Sequence, residues 1–248
     1  MSAWLEGRVV ENRHWTDALF SLRVEAPPLR FEAGQFVKLA LDVDGERVAR
    51  PFSFVNPPQA GQLEFYGVVV PQGPLSPRLA RLAAGDLIYL SPNPSGFLVL
   101  SEVPDAETLW LMATGTGLAP FLSILSSETV WQRYRKVVLV HAARFAKELV
   151  YRERLDEIER ERSPDRFRRV TLVSREAAPG SLSGRIPAAI GDGRLESAAG
   201  VTLRPEDSQV MLCGNPDMLR DSVAALASRG MKKHRRRAPG QITVESFW

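Results

Sequence analysis

The hydrophobic pattern changes character near residue 104, and this change constrains the fold more than any other feature of the sequence. Before it, short apolar stretches such as residues 36–41 and 63–70 are separated by glycine, proline and aspartate turn signals. Short strands at this spacing are typical of an antiparallel barrel or sandwich. We predict one helix in this half, over residues 76–82, with Ser76 as its N-cap.

Beyond residue 104, short apolar runs alternate with helical patterns. The predicted strands are residues 109–113, 136–141, 169–173 and 209–213, and the predicted helices are residues 118–125, 147–162 and 216–229. This alternation indicates βαβ units around a parallel sheet. We therefore predict an N-terminal antiparallel β-barrel domain, residues 1–103, and a C-terminal Rossmann-like domain, residues 104–248.

The cysteine and histidine content excludes several classes of site. Cys213 is the only cysteine, so the chain has no internal disulfide framework and no cysteine-rich metal or iron–sulfur centre. The three histidines lack metal-ligand spacing, and we expect no metal. Residues 1–6 lack the pattern of a signal peptide, and no apolar run approaches the roughly 18–20 residues of a membrane span. We expect a cytoplasmic protein, and a monomer.

Residues 232–237, Lys-Lys-His-Arg-Arg-Arg, form the densest basic cluster of a chain whose net charge is +3. The cluster has three interpretations: a solvated loop, a docking site for an acidic protein surface, or a nucleic-acid site. Nucleic acid is disfavoured, because no aromatic residues interleave the cluster and no helix-turn-helix or zinc-finger spacing accompanies it.

The turn Thr114-Gly115-Thr116-Gly117 lies between a predicted strand and a predicted helix. Glycines let the backbone approach a ligand closely, and the free amides at a helix start attract phosphate. The turn is not a complete G-x-G-x-x-G fingerprint, since Pro120 occupies the last position. It indicates a phosphate site or a plain tight turn between strand and helix.

Three arginines lie near the ends of successive predicted strands: Arg144 and Arg175 follow two of them, and Arg185 comes shortly after. Ligands of open α/β sheets bind at the carboxyl ends of strands, and guanidinium groups suit phosphate. No aspartate or glutamate closes the second strand, where an NAD-specific site would place one. The pattern favours NADP over NAD.

Two further segments, taken alone, indicate little about function. In Arg50-Pro51-Phe52-Ser53, the aromatic ring could stack on a planar ligand while the arginine pairs with a phosphate, although the segment is equally an ordinary strand end. In Cys213-Gly214-Asn215-Pro216, the cysteine reads as plain packing.

Together these motifs resemble those of the ferredoxin/flavodoxin–NADP⁺ reductase family, in particular its bacterial branch. They occur in the family's order over almost the whole chain, at residues 50–53, 71–76, 115–117 and 213–216, followed by a C-terminal aromatic residue. The resemblance implies an FAD-binding barrel and an NADP(H)-binding second domain. It also implies hydride transfer between nicotinamide C4 and flavin N5, with single electrons exchanged with a ferredoxin or flavodoxin.

The resemblance assigns residues to FAD. Arg50 would contact the pyrophosphate, Phe52 would stack on the isoalloxazine where many relatives carry tyrosine, and Ser53 would lie near flavin N5. Trp248 would stack on the adenine. The other implied FAD residues are Pro51, Tyr66, Val68, Pro74, Leu75, Ser76, Thr116 and Phe247, of which Thr116 would bridge both cofactors.

The resemblance also assigns residues to NADP(H) and to catalysis. Cys213 would lie beside the nicotinamide, and Glu245 would lie near the flavin edge, in a C-terminal tail that returns to the flavin. With Ser53, these two are the implied catalytic residues. The implied NADP residues are Ala143, Arg144, Ser174, Arg175, Arg185, Asn215 and Asp221.

Three rival functions remain. The same scaffold serves NAD(P)H-dependent flavin reductases and the reductase components of oxygenases. A non-enzymatic subunit that senses a cofactor is a second rival, and a nucleic-acid binder that uses residues 232–237 is a third. If the chain is a reductase, we expect this basic segment to dock an acidic ferredoxin or flavodoxin.

Overall fold

A computed structural model describes residues 4–246, which form two compact units. The first contains residues up to 99 together with residues 119–127, and the second contains residues 100–118 and those from 128 onward. Among the helices of residues 4–246, none combines the length and hydropathy that a bilayer crossing requires. The predicted domain boundary at residues 103 and 104 stays a prediction.

The first unit is built on a six-stranded antiparallel sheet in the order β4-β3-β6-β1-β2-β5. Its strands are β1 Leu5–His14, β2 Leu19–Glu25, β3 Phe36–Val43, β4 Glu46–Ser53, β5 Leu63–Val68 and β6 Leu87–Leu90. Just beyond β4, Phe54 bridges to Phe65 of β5, and the Val55 amide donates to the Glu64 carbonyl at 2.8 Å. The two edge strands therefore meet, and the predicted antiparallel barrel is confirmed.

Apolar side chains at alternate positions of the strands form the core of the barrel. On β2, Phe20, Leu22 and Val24 are fully buried, whereas Arg23 and Glu25 between and after them are exposed. Alternate side chains of a strand point to opposite faces, so this pattern directs one apolar face inward. Burying each such side chain contributes about 1.5–3 kcal/mol.

The helix predicted at residues 76–82 is shorter in the structure. Helix α1 spans Ser76–Leu79, and Leu75, not Ser76, is at its N-cap position. The prediction of Ser76 as the cap was wrong, because the Ser76 hydroxyl accepts a hydrogen bond from the Val70 amide at 2.9 Å instead. That bond ties the start of α1 back to the segment that follows β5.

The second unit is a parallel sheet in the order β10-β9-β8-β7-β11-β12. Its strands are β7 Thr108–Thr114, β8 Lys136–Ala143, β9 Phe167–Val173, β10 Leu182–Ser183, β11 Ser208–Gly214 and β12 Ile242–Ser246. The remaining helices are α2 Leu118–Leu125, α3 Glu128–Arg133, α4 Arg152–Arg162, α5 Ile186–Gly191, α6 Arg194–Ala199 and α7 Pro216–Ala227. The Rossmann-like prediction is confirmed, and the order reverses between β7 and β11.

Helix α4 begins five residues later than the predicted start at residue 147. Residues Ala146–Glu148 form a separate 3-10 turn, and Tyr151 adopts a left-handed backbone with φ 59° and ψ 25°. A left-handed residue interrupts an α-helix, because the ladder of backbone hydrogen bonds cannot pass through it. The helical pattern from residue 147 was therefore wrong for its first turn.

The two faces of the parallel sheet differ. Met112, Val140 and Leu212 are buried in a core cluster that includes Leu195 of α6 and Leu219 of α7. Because successive side chains alternate between faces, the next residues along β7, β8 and β11 point to the opposite face. These residues are Ala113, His141 and Cys213.

Candidate cofactor-binding sites

A buried hydroxyl lies where β4 and β5 meet. The bridge between Phe54 and Phe65 places Ser53 opposite Tyr66, and Val68 shares the face of Tyr66 two residues along β5. Ser53 is 3% exposed, and its Oγ has no hydrogen-bond partner among the described residues. Leaving a buried polar group unpaired costs about 1–3 kcal/mol. The position fits a ligand edge that hydrogen-bonds to Ser53.

The residues before Ser53 are arranged for a phosphate and a flat ring. Arg50 is exposed, its Nη1 donates to the carbonyl of Ala49 at 2.7 Å, and no carboxylate pairs with it in residues 4–246. The half-buried Phe52 packs against the barrel core, close to Gly67, where a side chain would come within 3.1 Å of the Phe52 ring. Pro51 is exposed between them. The guanidinium is thus available to an anion.

At the start of α1, the predicted FAD residues already have structural roles. Leu75 is fully buried in the barrel core, and the Pro74 carbonyl accepts a hydrogen bond from Arg78 Nη1 at 2.7 Å. The Ser76 hydroxyl is held by the Val70 amide. Any ligand contact here would therefore use mainly the backbone.

In the second unit, the structure brings most of the predicted NADP residues to one edge. Strands β7, β8, β9, β11 and β12 run in register and end level with one another, and we call this the carboxyl edge of the sheet. Ligands of such sheets bind at this edge, at the point where the strand order reverses. The predicted residues at or just beyond the carboxyl edge are Ala143, Arg144, Ser174, Arg175, Arg185, Cys213, Asn215 and Glu245.

Three arginines lie exposed at the carboxyl edge. The Ser174 and Arg175 amides donate to the carbonyls of Ala143 and Arg144 at 3.1 and 2.9 Å, which extends the pairing of β8 and β9 by two residues. Arg185 follows β10 and is exposed, like Arg144 and Arg175. Within residues 4–246, no carboxylate pairs with any of the three side chains. Guanidinium groups so placed suit a phosphate.

The loops after β7 and β11 pack backbone against backbone. A side chain at Gly117 would overlap the Cys213 carbonyl, and one at Gly214, whose φ is +141°, would overlap the Thr114 hydroxyl. Thr114 Oγ1 accepts a hydrogen bond from the Asn215 amide at 3.1 Å. The glycine turn of the sequence is therefore needed for this close approach, as well as for any phosphate.

Asn215 and Asp221 are held by α7 itself. Asn215 caps the helix, because its Oδ1 accepts hydrogen bonds from the Asp217 and Met218 amides at 2.9 and 3.4 Å. Asp221 lies about 9 Å along the helix from Asn215 at 1.5 Å per residue, and it pairs with Arg220 at 3.0 Å. The structure does not bring Asp221 to the carboxyl edge, so its contact with NADP stays a prediction without structural support.

Close to the carboxyl edge, one row of side chains crosses the sheet. The register aligns Glu245, Cys213, Ala113, His141 and Thr171, so all five point to the same face. Burial raises the pKa of the Cys213 thiol, and the Glu245 carboxylate raises it further. Cys213 is therefore neutral, and it offers a compact apolar surface and not a nucleophile.

His141 is the titratable member of this row that the sequence analysis did not assign to a site. Burial lowers the pKa of His141 to about 4, against a smaller opposing effect of a hydrogen bond with the Gly115 backbone. Its Nε2 is buried and has no partner in the described chain. A histidine inside an otherwise apolar strand was the available sequence signal.

Phe247 and Trp248, both predicted to contact FAD, lie outside the described residues.

The antiparallel barrel, followed by a parallel sheet with phosphate-suited arginines, corresponds to the two domains of a class of nucleotide-binding oxidoreductases. Residues 6–97 match the family model "Oxidoreductase FAD-binding domain", and residues 111–224 match "Oxidoreductase NAD-binding domain".

Full-length relatives specify the family. The chain is 53% identical to a flavodoxin/ferredoxin–NADP reductase of Shigella flexneri and 52% identical to that of Escherichia coli K12, with all of each chain covered. A solved ferredoxin NADP⁺ reductase of Neisseria gonorrhoeae with bound FAD and NADP superposes with a TM-score of 0.94 at 36% identity, again over both whole chains. The chain belongs to the flavodoxin/ferredoxin–NADP reductase family.

The buried neutral His141 predicts an acid-sensitive second unit. Its pKa is about 4 in the folded protein and 6.5 when exposed, so the unfolded chain binds the proton first as the pH falls. Relative to low pH, keeping His141 neutral therefore adds on the order of 3 kcal/mol to the free energy of unfolding. This contribution is complete above pH 6.5 and is lost as the pH falls toward 4. Urea unfolding at a series of pH values should show a shallower loss for His141→Gln than for the wild type.

His14→Gln removes an exposed histidine of the first unit and is the matched control. It should retain the steep acid response of the wild type. Identical pH profiles for His141→Gln and the wild type would contradict a buried neutral imidazole.

Proposed function

We propose that this chain is an FAD-dependent reductase that transfers electrons between NADP(H) and a ferredoxin or flavodoxin. The observation that carries the proposal is the set of unpaired arginines, Arg144, Arg175 and Arg185, at the carboxyl edge of the parallel sheet. They suit the 2′-phosphate that distinguishes NADP from NAD. The full-length relatives named as such reductases support the same function.

The barrel unit holds FAD. When bound, FAD supplies the exchange of a hydride for two single electrons. Arg50 binds the pyrophosphate, Phe52 stacks on the ring system, and the Ser53 hydroxyl donates or accepts a hydrogen bond at the flavin edge near N5. Because Phe52 is already packed against the barrel core, its ring is preordered for stacking. The remaining proposed contacts are Pro51, Tyr66, Val68, Pro74, Leu75, Ser76, Thr116, Phe247 and Trp248.

The second unit holds NADP(H). Arg144, Ser174, Arg175 and Arg185 bind the adenosine 2′-phosphate, and Ala143, Asn215 and Asp221 complete the proposed set. The neutral Cys213 gives the nicotinamide an uncharged neighbour. Glu245 is the residue paired with Cys213 on the adjacent strand β12.

The rival functions are less well supported. Flavin reductases and oxygenase reductase components share the scaffold, but the relatives that match this chain over its full length are named NADP reductases of flavodoxin or ferredoxin. The full-length relatives are named as enzymes, which argues against a cofactor-sensing subunit and a nucleic-acid binder. The domain boundary at residues 103 and 104, the cytoplasmic location and the monomeric state remain proposals.

The function is tested by the colour of the purified protein and its response to nicotinamide nucleotides. We expect flavin absorption, bleached anaerobically by NADPH at concentrations at least tenfold below those of NADH, since the guanidinium contacts to a 2′-phosphate are worth more than about 1.4 kcal/mol. A colourless protein, or equal responses to NADPH and NADH, would overturn the proposal.

The unpaired hydroxyl at the barrel predicts a separable role for Ser53. Ser53→Ala removes one hydrogen bond at the reacting edge while the phosphate and stacking contacts remain. Stopped-flow flavin reduction by NADPH should slow by roughly a hundredfold to a thousandfold, the effect of removing one preorganised catalytic hydrogen bond. The flavin content should stay at the wild-type value. Wild-type reduction rates in this variant would exclude Ser53 from catalysis.

We also propose that the basic segment, residues 232–237, docks an acidic carrier. Arg235 and Ala238 exchange backbone hydrogen bonds at 3.1 and 2.8 Å, which folds the segment into a tight turn. Arg236 pairs with Glu102, its Nε lying 2.8 Å from the carboxylate, so its charge is compensated. Lys232, Lys233, Arg235 and Arg237 are exposed and have no ion-pair partner in the described chain.

This difference makes Arg235 and Arg237 the residues to change. The double variant Arg235→Gln, Arg237→Gln should lower kcat/KM for the carrier on the order of tenfold at low salt and flatten its salt dependence. Reduction of a small dye by NADPH should not change. The double variant Arg160→Gln, Arg168→Gln removes two exposed charges elsewhere and should leave carrier kinetics near the wild type. Equal losses in both double variants would refute a specific docking site.

A further inference from the structure

Three consecutive backbone amides after β8 face carboxylates of the chain itself. The Arg144 and Phe145 amides donate to Glu148 Oε2 at 2.9 and 3.2 Å, and the Ala146 amide donates to Glu176 Oε1 at 2.6 Å. Successive amides of this kind bind anions. Here the protein supplies the anions, and a ligand phosphate at this loop must therefore be bound by side chains.

Glu176 is placed where a free carboxylate would interfere with that binding. It directly follows Arg175, whose amide donates to the Arg144 carbonyl at 2.9 Å, so its carboxylate lies between the two loops that carry these arginines. A mobile carboxylate beside two unpaired guanidinium groups would pair with them and compete with a phosphate. The hydrogen bond to Ala146 instead ties the carboxylate to the backbone of the neighbouring loop.

We propose that Glu176 is a positioning residue for NADP selectivity. Its anchorage on the Ala146 amide links the loops of Arg144 and Arg175 and keeps its charge away from both side chains. Glu148 supports the same loop by binding the two preceding amides. The inference rests on the proposed function, because it concerns the 2′-phosphate site.

The variant Ala146→Pro removes the hydrogen bond that anchors Glu176 and keeps the Glu176 charge. Proline removes the amide hydrogen and leaves both carboxylates in place. Ala146 is the first residue of its 3-10 turn, a position that tolerates proline. Phe145 before it is extended, with φ −127° and ψ 150°, which is the conformation required ahead of proline. The released Glu176 carboxylate is then free to pair with the arginines.

The test is calorimetric titration of 2′,5′-ADP into the FAD-loaded protein, with 5′-AMP as the ligand that lacks the 2′-phosphate. Ala146→Pro should weaken 2′,5′-ADP binding by roughly tenfold, and Glu176→Ala should weaken it by only about threefold, because that variant loses the anchor without releasing a charge. The double variant should bind like Glu176→Ala, which is a recovery relative to Ala146→Pro. Ala146→Ser keeps the amide and should match the wild type.

Each outcome has a distinct meaning. Wild-type affinity in Ala146→Pro, or a double variant weaker than Ala146→Pro, would overturn the positioning role. If Ala146→Pro fails to fold by circular dichroism, Glu176→Gln decides, since it retains an acceptor for the amide without the charge. Wild-type binding by Glu176→Gln together with weakened binding by Glu176→Ala supports the proposal, and equal binding by the two variants overturns it. A wild type that binds 2′,5′-ADP no better than 5′-AMP would instead refute the NADP site.

Discussion

The in-register pairing of the parallel strands is the constraint on which the nucleotide site depends. Because β7, β8, β9, β11 and β12 end level, the loops that follow them meet at one edge. A slip of one residue would turn Cys213 and His141 to the opposite face. The register is maintained by a buried cluster on the other face, which packs β7, β8 and β11 against the helices α5, α6 and α7.

Ion pairing separates structural arginines from candidate binding arginines in the second unit. Arg169 on β9 lies between Asp156 and Glu159, at 2.6 and 2.8 Å, and thereby ties α4 to the sheet. Arg229 pairs with Glu196 at 2.6 Å. The arginines of the carboxyl edge have no such partners in residues 4–246, so their charge remains available to a ligand. Spacing in the sequence does not distinguish these two groups.

Both wrong predictions about the helices concern the residue at which the helix begins. Ser76 followed by proline has the composition of a helix start, but the Ser76 hydroxyl accepts a hydrogen bond from the Val70 amide and does not cap the helix. Residue 147 begins a charged helical pattern, but the left-handed Tyr151 separates a 3-10 turn from α4. In each case intrinsic propensity correctly indicated a helix and failed to locate its first residue.

The sequence by itself determined the order of the two modules, the glycine turn after β7 and the placement of arginines after successive strands. These features are local, because strand periodicity and turn chemistry depend on neighbouring residues. Only the tertiary structure decided that Arg236 is neutralised by Glu102, 134 residues away, and that the Ser53 hydroxyl is buried without a partner among residues 4–246. It also showed that Glu176 is anchored on the Ala146 amide. Such pairings depend on which distant segments the fold brings within hydrogen-bond distance.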